Sequence, residues 1–281
     1  MHPKSILITG CSSGIGRDAA LTLRARGFDV IATARRDQDV EALRAEGLFA
    51  LRLDLDDSAS IEAAVEQALA HTGGGLHALF NNGAYGLPGA VEDLGRDALR
   101  RQFETNLFGW VELTNRVIPL MRRQGGGRIV QCSSVLGLVP LPYRGAYCAT
   151  KYALEGLSDA LRLELHGSGV HVSLIEPGPI ATRFRDNALR AFLHDIPQDQ
   201  SFHRAQYQAV LARLNKPGPA VPFTLPPAAV TAKLLHALES RRPRPRYYVT
   251  FPTYLFGTLR RVLPTRQLDW VMRKVSGGGK T

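Results

Sequence analysis

The sequence predicts an α/β protein, a doubly wound parallel sheet of about seven strands folded as a single domain over residues 1–281. Short apolar runs alternate with segments of helical periodicity, which is typical of βαβ units around a sheet buried on both faces. The first of these runs is followed directly by a glycine-rich turn. All the runs are much shorter than the roughly 20 apolar residues that cross a bilayer, so we expect no membrane-spanning helix.

Seven apolar runs are predicted as strands: SILIT, FDVIAT, LFALRLD, LHALFN, GRIVQCS, VHVSLIE and RYYVTF. The clearest helices cover residues 58–71, with Ser58 as the expected N-cap, and residues 147–166, with leucines at helical spacing. The alternation loosens after about residue 176. We expect a helical, substrate-binding insertion at residues 183–225, a helical tail at residues 251–275, and disorder over residues 276–281.

The composition is that of an ordinary globular protein, with 44% hydrophobic and 21% charged residues. A net charge of +10 suits several anionic partners, including nucleic acid, lipid and a phosphorylated cofactor. The most basic cluster, RRPRPRYY at residues 241–248, leads into a predicted strand. We therefore predict no nucleic-acid partner.

The three cysteines, Cys11, Cys132 and Cys148, are odd in number and show no CxxC or metal-ligand spacing. This pattern predicts free thiols in a reducing compartment and no metal site. The N-terminal residues pass from a lysine into a short strand without a long apolar segment, so we expect no signal peptide and a cytoplasmic location.

The stretch ILITGCSSGIGRDAA is predicted to form a strand, a glycine turn and the start of a helix. Gly10, Gly14 and Gly16 allow a tight turn, and a helix that begins near Gly14 offers free N–H groups to a pyrophosphate. The turn, with Ser12, Ser13 and Ile15 between its glycines, is therefore predicted to bind a dinucleotide. Its spacing is TGxxxGxG rather than GxGxxG.

The end of the second predicted strand bears on the choice of cofactor. A carboxylate there would accept hydrogen bonds from a ribose 2′-hydroxyl, but this sequence has Arg35 and Arg36. Guanidinium groups suit a 2′-phosphate in both geometry and charge, so the sequence favours NADP(H) over NAD(H). The alternative is that both arginines only cap the solvent end of the strand.

Several motifs together resemble the short-chain dehydrogenase/reductase family over about residues 4–250: TGCSSGIG, LDLDD, NNGA, ETNLFG, YCATK and PGPIAT. The longer stretches GAYCATKYALEGLSDALRLEL and SLIEPGPIAT look like the branch that contains 17β-hydroxysteroid and retinol dehydrogenases and related bacterial aldehyde/ketone reductases. The resemblance implies a Rossmann-type fold. One departure is NNGA, where the family usually has NNAG, and we expect this exchange to alter backbone freedom more than chemistry.

The resemblance implies that Tyr147 of YxxxK is the general acid/base. An unperturbed phenol ionises at about pH 10, so a nearby cation is needed to favour the phenolate, and Lys151 is expected to supply it and to bind the nicotinamide ribose. Ser134 is expected to polarise the substrate carbonyl, because the family spacing selects it over the neighbouring Ser133. Asn106, predicted within a helix, matches the position that holds a water for proton relay; the alternative is a helical asparagine that only bonds to backbone.

The same resemblance implies further cofactor contacts. Asp54 is expected to receive the adenine amino group, although a structural strand-end aspartate is the alternative. The remaining expected contacts are Leu55 beside it, Asn82, Gly83 and Ala84 along the cofactor, and Pro177, Gly178, Ile180 and Thr182 around the nicotinamide.

The expected reaction is hydride transfer between a nicotinamide and a small-molecule carbonyl or alcohol, with reduction of an apolar aldehyde or ketone favoured. Residues 138–144 and five apolar side chains of the insertion are expected to border the pocket, although they are equally compatible with core positions: Phe184, Leu189, Phe192, Leu193 and Phe202. The alternatives are a β-ketoacyl thioester reductase and a non-catalytic nicotinamide-sensing regulator.

Two kinds of interaction stay open at this point. The tail mixes aromatic residues with arginines, which is typical of a helix at a membrane surface and also of one packed on the domain or on a partner subunit. The resemblance also implies a homodimer or homotetramer formed through paired helices.

Overall fold

The structure, a computed structural model, describes residues 4–276. This part of the chain forms one sheet of seven parallel strands in the order β3-β2-β1-β4-β5-β6-β7. In chain order the strands are β1 Ser5–Ile8, β2 Asp29–Ala34, β3 Phe49–Arg52, β4 Ala78–Asn81, β5 Gly127–Cys132, β6 Val170–Glu176 and β7 Arg246–Tyr248. The predicted fold class and the seven predicted strands are confirmed.

Eleven α-helices surround the sheet within residues 4–276. They are α1 Gly14–Ala25, α2 Asp37–Ala45, α3 Ser58–Thr72, α4 Arg96–Phe103, α5 Gly109–Arg123, α6 Gly145–Glu164, α7 Phe184–Asp195, α8 Arg204–Asn215, α9 Ala228–Glu239, α10 Phe251–Val262 and α11 Thr265–Val275. The two clearest predicted helices correspond to α3 and α6. None of the helices in the described residues is long and apolar enough to cross a membrane.

The strand order reverses between β1 and β4, which pair with each other in parallel. In a sheet of this kind, connections leave in opposite directions at the reversal and open a crevice at the carboxyl ends of the strands. The central strands are buried on both faces, as Ile6, Leu7 and Phe80 show with no exposed surface. The crevice is therefore the expected ligand site.

The prediction that Ser58 caps α3 is wrong. Asp57 is the N-cap, with extended backbone, and its carboxylate accepts a hydrogen bond from the Ala59 N–H at 3.0 Å. The Ser58 hydroxyl instead donates to Glu112 of α5 at 2.8 Å. The carboxylate takes the cap because it precedes the first helical residue, where the free N–H groups point.

The two C-terminal segments have different packing. The insertion contains α7 and α8, whose buried faces form a second apolar cluster with Leu87, Ala90 and Ala146 of the main domain. The tail contains α10 and α11. Leu268 and Met272 of α11 are buried against the loop at residues 135–141. Residues 276–281 were expected to be disordered. Ser276 is the C-cap of α11, and residues 277–281 lie outside the described residues.

Candidate active site

The glycine turn is held against the loop after β4 by direct backbone contact. Gly10 has a φ of +71°, and a Cβ there would lie 2.6 Å from the Cα of Gly83. A Cβ on Gly16 would lie 2.3 Å from the carbonyl oxygen of Gly10. These two positions need glycine because no side-chain movement could relieve a clash with backbone.

The first turn of α1 offers an anion site. Its N-cap, Ser13, has extended backbone and makes no side-chain cap hydrogen bond. The N–H groups at the start of the helix are therefore left for another acceptor, and the positive end of the helix dipole favours a phosphate there. The residues present fit a pyrophosphate.

Two residues that sequence reasoning missed hold this turn in place. The Thr9 hydroxyl accepts hydrogen bonds from the N–H groups of Asn82 at 2.8 Å and Gly83 at 2.9 Å. The Asn82 amide donates back to the Thr9 carbonyl at 3.0 Å, and the Trp110 indole donates to the Gly83 carbonyl at 2.8 Å. Thr9 could have been identified from the sequence because it directly precedes the first glycine. Trp110 could not, because it lies about 100 residues from the turn in the chain.

The two arginines after β2 differ in what they contact. Arg36 forms an ion pair with Asp39 through two hydrogen bonds, at 2.8 and 3.1 Å. Arg35 is exposed, and no ion pair to its side chain occurs within residues 4–276. Arg35 is thus the freer cation at the carboxyl edge of the sheet.

Asp54 and Leu55 follow β3 at the same edge. One Asp54 carboxylate oxygen accepts a hydrogen bond from the Asp56 N–H at 3.2 Å, which bends the chain after the strand. Leu55 is buried, and Gly109 packs so closely on it that a Cβ there would lie 2.1 Å from the Leu55 carbonyl oxygen. These contacts join the end of β3 to the start of α5. Ala84, the last predicted contact after β4, packs partly buried against the main core.

Tyr147 and Lys151 lie one turn apart on α6. Lys151 is 1% exposed, and its ammonium donates to the Cys132 carbonyl at 2.8 Å. The same ammonium lies 4.2 Å from the centre of the Trp110 ring and 5.6 Å from the centre of the Tyr147 ring. A buried cation is thus held between two aromatic rings and a carbonyl oxygen.

Asn106 lies in a π-helical turn, Glu104–Phe108, that joins α4 to α5. Its side chain accepts from the Tyr85 N–H at 3.1 Å and donates to the Tyr85 carbonyl at 2.8 Å. Its amide also lies 3.4 Å from the Thr150 hydroxyl, which donates to the Tyr147 carbonyl at 2.8 Å. The sequence predicted a helical Asn106 but gave no signal of the π turn, a feature that is frequent at functional sites.

The two serines after β5 face different neighbours. The Ser134 hydroxyl accepts from the Leu136 N–H at 3.1 Å and faces Tyr147. Ser133 faces Glu155 of α6 and is 3% exposed. This separation follows from the extended backbone, in which successive side chains point to opposite sides.

The electrostatics differ from the expectation that Lys151 lowers the pKa of Tyr147. Burial raises the pKa of the Tyr147 phenol, the Cys132 thiol adds to the increase, and the Ser134 hydroxyl opposes it. Burial also lowers the pKa of Lys151 to about 8, with Cys132 and Glu155 opposing the decrease. Burial therefore outweighs any lowering by Lys151, whose ammonium donates to the Cys132 carbonyl.

The loop after β6 runs beside Ser134 and back to the glycine turn. The Pro177 carbonyl accepts from the Val135 N–H at 2.8 Å. Gly178 packs on Thr250, whose hydroxyl would lie 2.1 Å from a Cβ at this position. Further on, the Thr182 methyl group lies against Gly14, where an added Cβ would approach it to 2.9 Å. Ile180 forms an isolated bridge with Leu225 and is partly buried.

Phe184, the first residue of α7, lies over the phenol. Its ring centre is 5.4 Å from that of Tyr147 in an edge-to-face arrangement. A Cβ on Gly86 would lie 3.0 Å from the Phe184 ring, so the ring fits against a glycine. Of the other insertion residues expected at the pocket, Phe192 is core and Leu189 packs beside it, while Leu193 and Phe202 are 57% and 89% exposed.

Comparisons with known proteins all identify dehydrogenases, reductases or oxidoreductases as similar to this chain. A family model described as short chain dehydrogenase matches residues 4–191. The uncharacterized oxidoreductase YbbO of Escherichia coli strain K12 is 44% identical over 270 residues, covering 96% of this chain and 94% of YbbO. Human 17-beta-hydroxysteroid dehydrogenase type 1 is 37% identical over 87% of this chain and 77% of its own length. The NADPH-dependent 3-dehydrocapnine reductase of Ornithobacterium rhinotracheale is 30% identical over 95% of each chain.

Solved structures agree with these relatives. A short-chain dehydrogenase from Streptomyces avermitilis superposes with a TM-score of 0.77 at 30% identity, covering 99% of this chain and all of that one. A short chain dehydrogenase/reductase from Burkholderia phymatum in complex with NAD superposes with a TM-score of 0.77 at 26% identity, covering 96% and 95%.

Proposed function

Because the chain belongs to the short-chain dehydrogenase family, whose members are oxidoreductases that use a nicotinamide cofactor, we propose that it is an NADP(H)-dependent reductase of apolar aldehydes or ketones. The observation that carries this proposal is the arrangement at the carboxyl edge of the sheet. Tyr147 and Lys151 share one face of α6, Ser134 faces the phenol, and Asn106 is linked to the same turn of α6 through Thr150.

When bound, the nicotinamide supplies or accepts the hydride. The uncapped turn of α1 and the glycines around it would hold the pyrophosphate, and Asp54 would hold the adenine. The loop with Pro177, Gly178, Ile180 and Thr182 would hold the nicotinamide ring. Asn82, Gly83, Ala84 and Leu55 would form the wall between these two ends.

The residues of the chain supply the proton. Tyr147 exchanges it with the substrate oxygen, while the Ser134 hydroxyl donates a hydrogen bond to the same oxygen and fixes its place. The Lys151 ammonium stabilises the developing phenolate and would bind the ribose hydroxyls. Asn106 would hold a water that returns the proton from Lys151 to solvent.

Two observations support NADP(H) as the cofactor. Arg35 is exposed at the end of β2 and is not engaged by an ion pair with another described residue, so its guanidinium can meet a 2′-phosphate. The name of the Ornithobacterium rhinotracheale relative also specifies NADPH. Arg36, which is bound to Asp39, would contribute less.

An apolar substrate is supported by the side chains over Tyr147. Phe184 presents its ring to the phenol from the insertion, and Val135 and Leu141 lie in the loop that the tail covers. Such a surface favours a hydrocarbon group next to the carbonyl rather than a charged one.

The test is a screen of NADPH oxidation with aldehydes, ketones and ketoacyl thioesters, repeated with NADH. We expect turnover with apolar carbonyls and a preference for NADPH. Tyr147→Phe should lower kcat by about 10³-fold, the usual contribution of a general acid, and leave NADPH binding nearly unchanged in a fluorescence titration. Turnover of thioesters alone would support the alternative reductase, and substantial activity of Tyr147→Phe would refute the assigned acid.

We also propose that the tail lies on an anionic membrane surface. Phe251, Leu255 and Val262 form an exposed stripe on α10, and Trp270 lies exposed on α11, 4.3 Å from the Lys274 ammonium. Residues 251–275 hold five arginine or lysine side chains against one aspartate, a charge that complements anionic lipid better than a neutral protein surface.

Vesicle flotation tests this location. The protein should bind vesicles that contain phosphatidylglycerol and not vesicles of phosphatidylcholine alone, and Trp270→Ala should weaken binding. The matched charge control is Arg122→Glu with Arg123→Glu, at the end of α5. Equal binding to both vesicle types, or equal loss in the control, would contradict a tail-mediated contact.

The proposal also includes an oligomeric state and a cellular location. A homodimer or homotetramer would cover the half-exposed Phe108 at the start of α5, so Phe108→Glu should lower the mass measured by light scattering. A cytoplasmic location would keep the three free cysteines reduced.

A further inference from the structure

One face of α6 carries more than the proposed acid/base pair. Tyr147, Lys151, Glu155 and Asp159 follow one another at intervals of four residues, so their side chains lie along one stripe of the helix. Both carboxylates of this stripe bind Arg246 of β7. The proposed mechanism assigns no role to either of them.

Arg246 connects this stripe to the segments around the site. Its guanidinium donates to Glu155 and, at 2.5 Å, to Asp159, and it also donates at 3.2 Å to Glu176. Glu176 is the last residue of β6 and directly precedes Pro177. A single side chain thus joins α6, β6 and β7 beneath the loop proposed to hold the nicotinamide.

Glu155 is the member of this group nearest to the site. It lies one turn beyond Lys151, and Ser133, the residue before Ser134, faces it. Its side chain is 10% exposed, whereas that of Asp159 is 39% exposed. The two carboxylates therefore share one guanidinium but differ in burial and in distance along the helix from Lys151.

The buried cluster of Glu155, Glu176 and Arg246 costs free energy of folding, so stability alone does not explain it. Among residues 4–276, the second carboxylate oxygens of Glu155 and Glu176 and the Ser133 hydroxyl are buried without a hydrogen-bond partner. Buried ion pairs are often no more stabilising than apolar residues of the same volume, and unsatisfied polar atoms add to the cost. Such a cluster beside a proposed site suggests a functional role.

We propose that Glu155 is a positioning residue for Lys151, a buried counter-charge that Arg246 holds in place and that keeps the lysine ammonium charged beside Tyr147. This inference rests on the proposed function of Lys151. It adds a residue outside the YxxxK motif to the group that sets the protonation of the site.

The charged and titratable groups around Lys151 support this role. Burial lowers the pKa of Lys151, and of the groups that oppose this decrease, Glu155 is the carboxylate. Cys132 of β5 is the other, but burial raises the pKa of its thiol to about 11, so it stays neutral at pH 7. Trp110 of α5 presents only its ring.

The carboxylates around Arg246 also differ. Burial raises the pKa of Glu176 to about 8, and the neighbouring Glu155 adds to the increase, so Glu176 keeps its proton at neutral pH. Burial raises the pKa of Glu155 as well, but Arg246 opposes that change. Arg246 therefore favours the charged form of Glu155.

The test is the pH dependence of kcat/KM for Glu155→Gln. Removal of the carboxylate lowers the pKa of Lys151 further, so the lysine loses its proton at lower pH and activity falls earlier as pH rises. We expect the basic limb of the profile to move down by about one pH unit, the usual effect of one nearby charge. Asp159→Asn is the matched control, since it removes a carboxylate from the same guanidinium, and its limb should not move.

A second readout does not depend on activity. The pKa of Lys151 can be followed by NMR of protein labelled with [13C]lysine, with the signal identified by its loss in Lys151→Met, and it should fall by a similar amount in Glu155→Gln. If that variant does not fold, Glu155→Gln combined with Arg246→Gln removes both charges and should give the same displacement. An unmoved lysine pKa, or an equal shift in Asp159→Asn, would overturn the inference, whereas an inactive wild type with the expected lysine shift would overturn only the proposed function.

Discussion

The glycine turn and the insertion enclose the two ends of the same crevice by different means. At the turn, Gly10 lies against the backbone of Gly83, and Gly16 lies against the backbone of Gly10, so the shape is determined by the absence of side chains. At the insertion, Phe184 and Phe192 provide the contacts, and hydrogen bonds such as that between His203 and Glu92 hold the edges. A backbone-built site tolerates few substitutions, whereas a side-chain-built site can change its ligand without losing the fold.

The largest expected effect breaks the backbone contact. Gly16→Ala places a Cβ 2.3 Å from the Gly10 carbonyl oxygen, and a clash of this kind costs at least the roughly 1–3 kcal/mol of an overpacked core. NADPH affinity, measured by fluorescence titration, should fall by about 100-fold or the protein should fail to fold. Gly156→Ala on α6 is the control, because its Cβ would have no neighbour within 4 Å. Near-normal NADPH binding by Gly16→Ala would show that backbone contact does not determine the shape of the glycine turn.

The next effect concerns a part of the dinucleotide end that a side chain would build. Arg35→Ala should weaken NADPH binding by about 10- to 100-fold, the value of a charge-assisted hydrogen bond, and leave NADH binding unchanged. Arg36→Ala should have a smaller effect because Asp39 already engages that side chain. Equal losses for NADPH and NADH would show that Arg35 does not read the 2′-phosphate.

A moderate effect is expected at the insertion. Phe184→Ala removes the ring over Tyr147, so KM for apolar aldehydes should rise by about 10-fold, in line with the roughly 1–3 kcal/mol of a buried apolar contact. Steady-state kinetics against a short, polar aldehyde should show a much smaller change. Leu193→Ala is the matched control, because Leu193 lies on the same helix and is 57% exposed. A loss in kcat for all substrates alike would place Phe184 in the chemistry rather than in substrate choice.

The smallest effect tests polar side-chain pairs at the edges. Glu92→Gln weakens the hydrogen bond with His203, and a partly exposed pair of this kind contributes less than about 1 kcal/mol. The melting temperature should fall by less than about 3 °C. Glu41→Gln, which breaks an exposed pair with Arg44 in the other half, should behave in the same way. A much larger fall for Glu92→Gln would show that the stability of the insertion depends on the contact between Glu92 and His203.

The sequence predicted the dinucleotide end more fully than the insertion, for a physical reason. Backbone contact demands glycine at particular positions, so Gly10 and Gly16 are visible as a motif. The role of Thr9 was less visible, and that of Trp110 was invisible, because each acts through a tertiary hydrogen bond. Apolar side chains on α7 carry no such mark: Phe184 and Phe192 look alike in sequence, but only the first faces Tyr147.

The electrostatics were the least predictable part. The spacing of Tyr147 and Lys151 placed them on one face of α6, but their pKa shifts depend on how deeply each is buried. The network around Arg246 was likewise absent from the predictions, since Glu155, Glu176 and Arg246 lie far apart in the chain. Burial and long-range pairing are properties of the packed structure.

The five-residue π turn at Glu104–Phe108 makes the proposed role of Asn106 depend on the length of this stretch. Each residue of a helix turns the chain by about 100°, so deleting one residue here would let α4 and α5 merge into a regular helix while swinging the position of Asn106 away from Tyr85. Insertions and deletions in this segment should therefore be tolerated by folding far better than by catalysis.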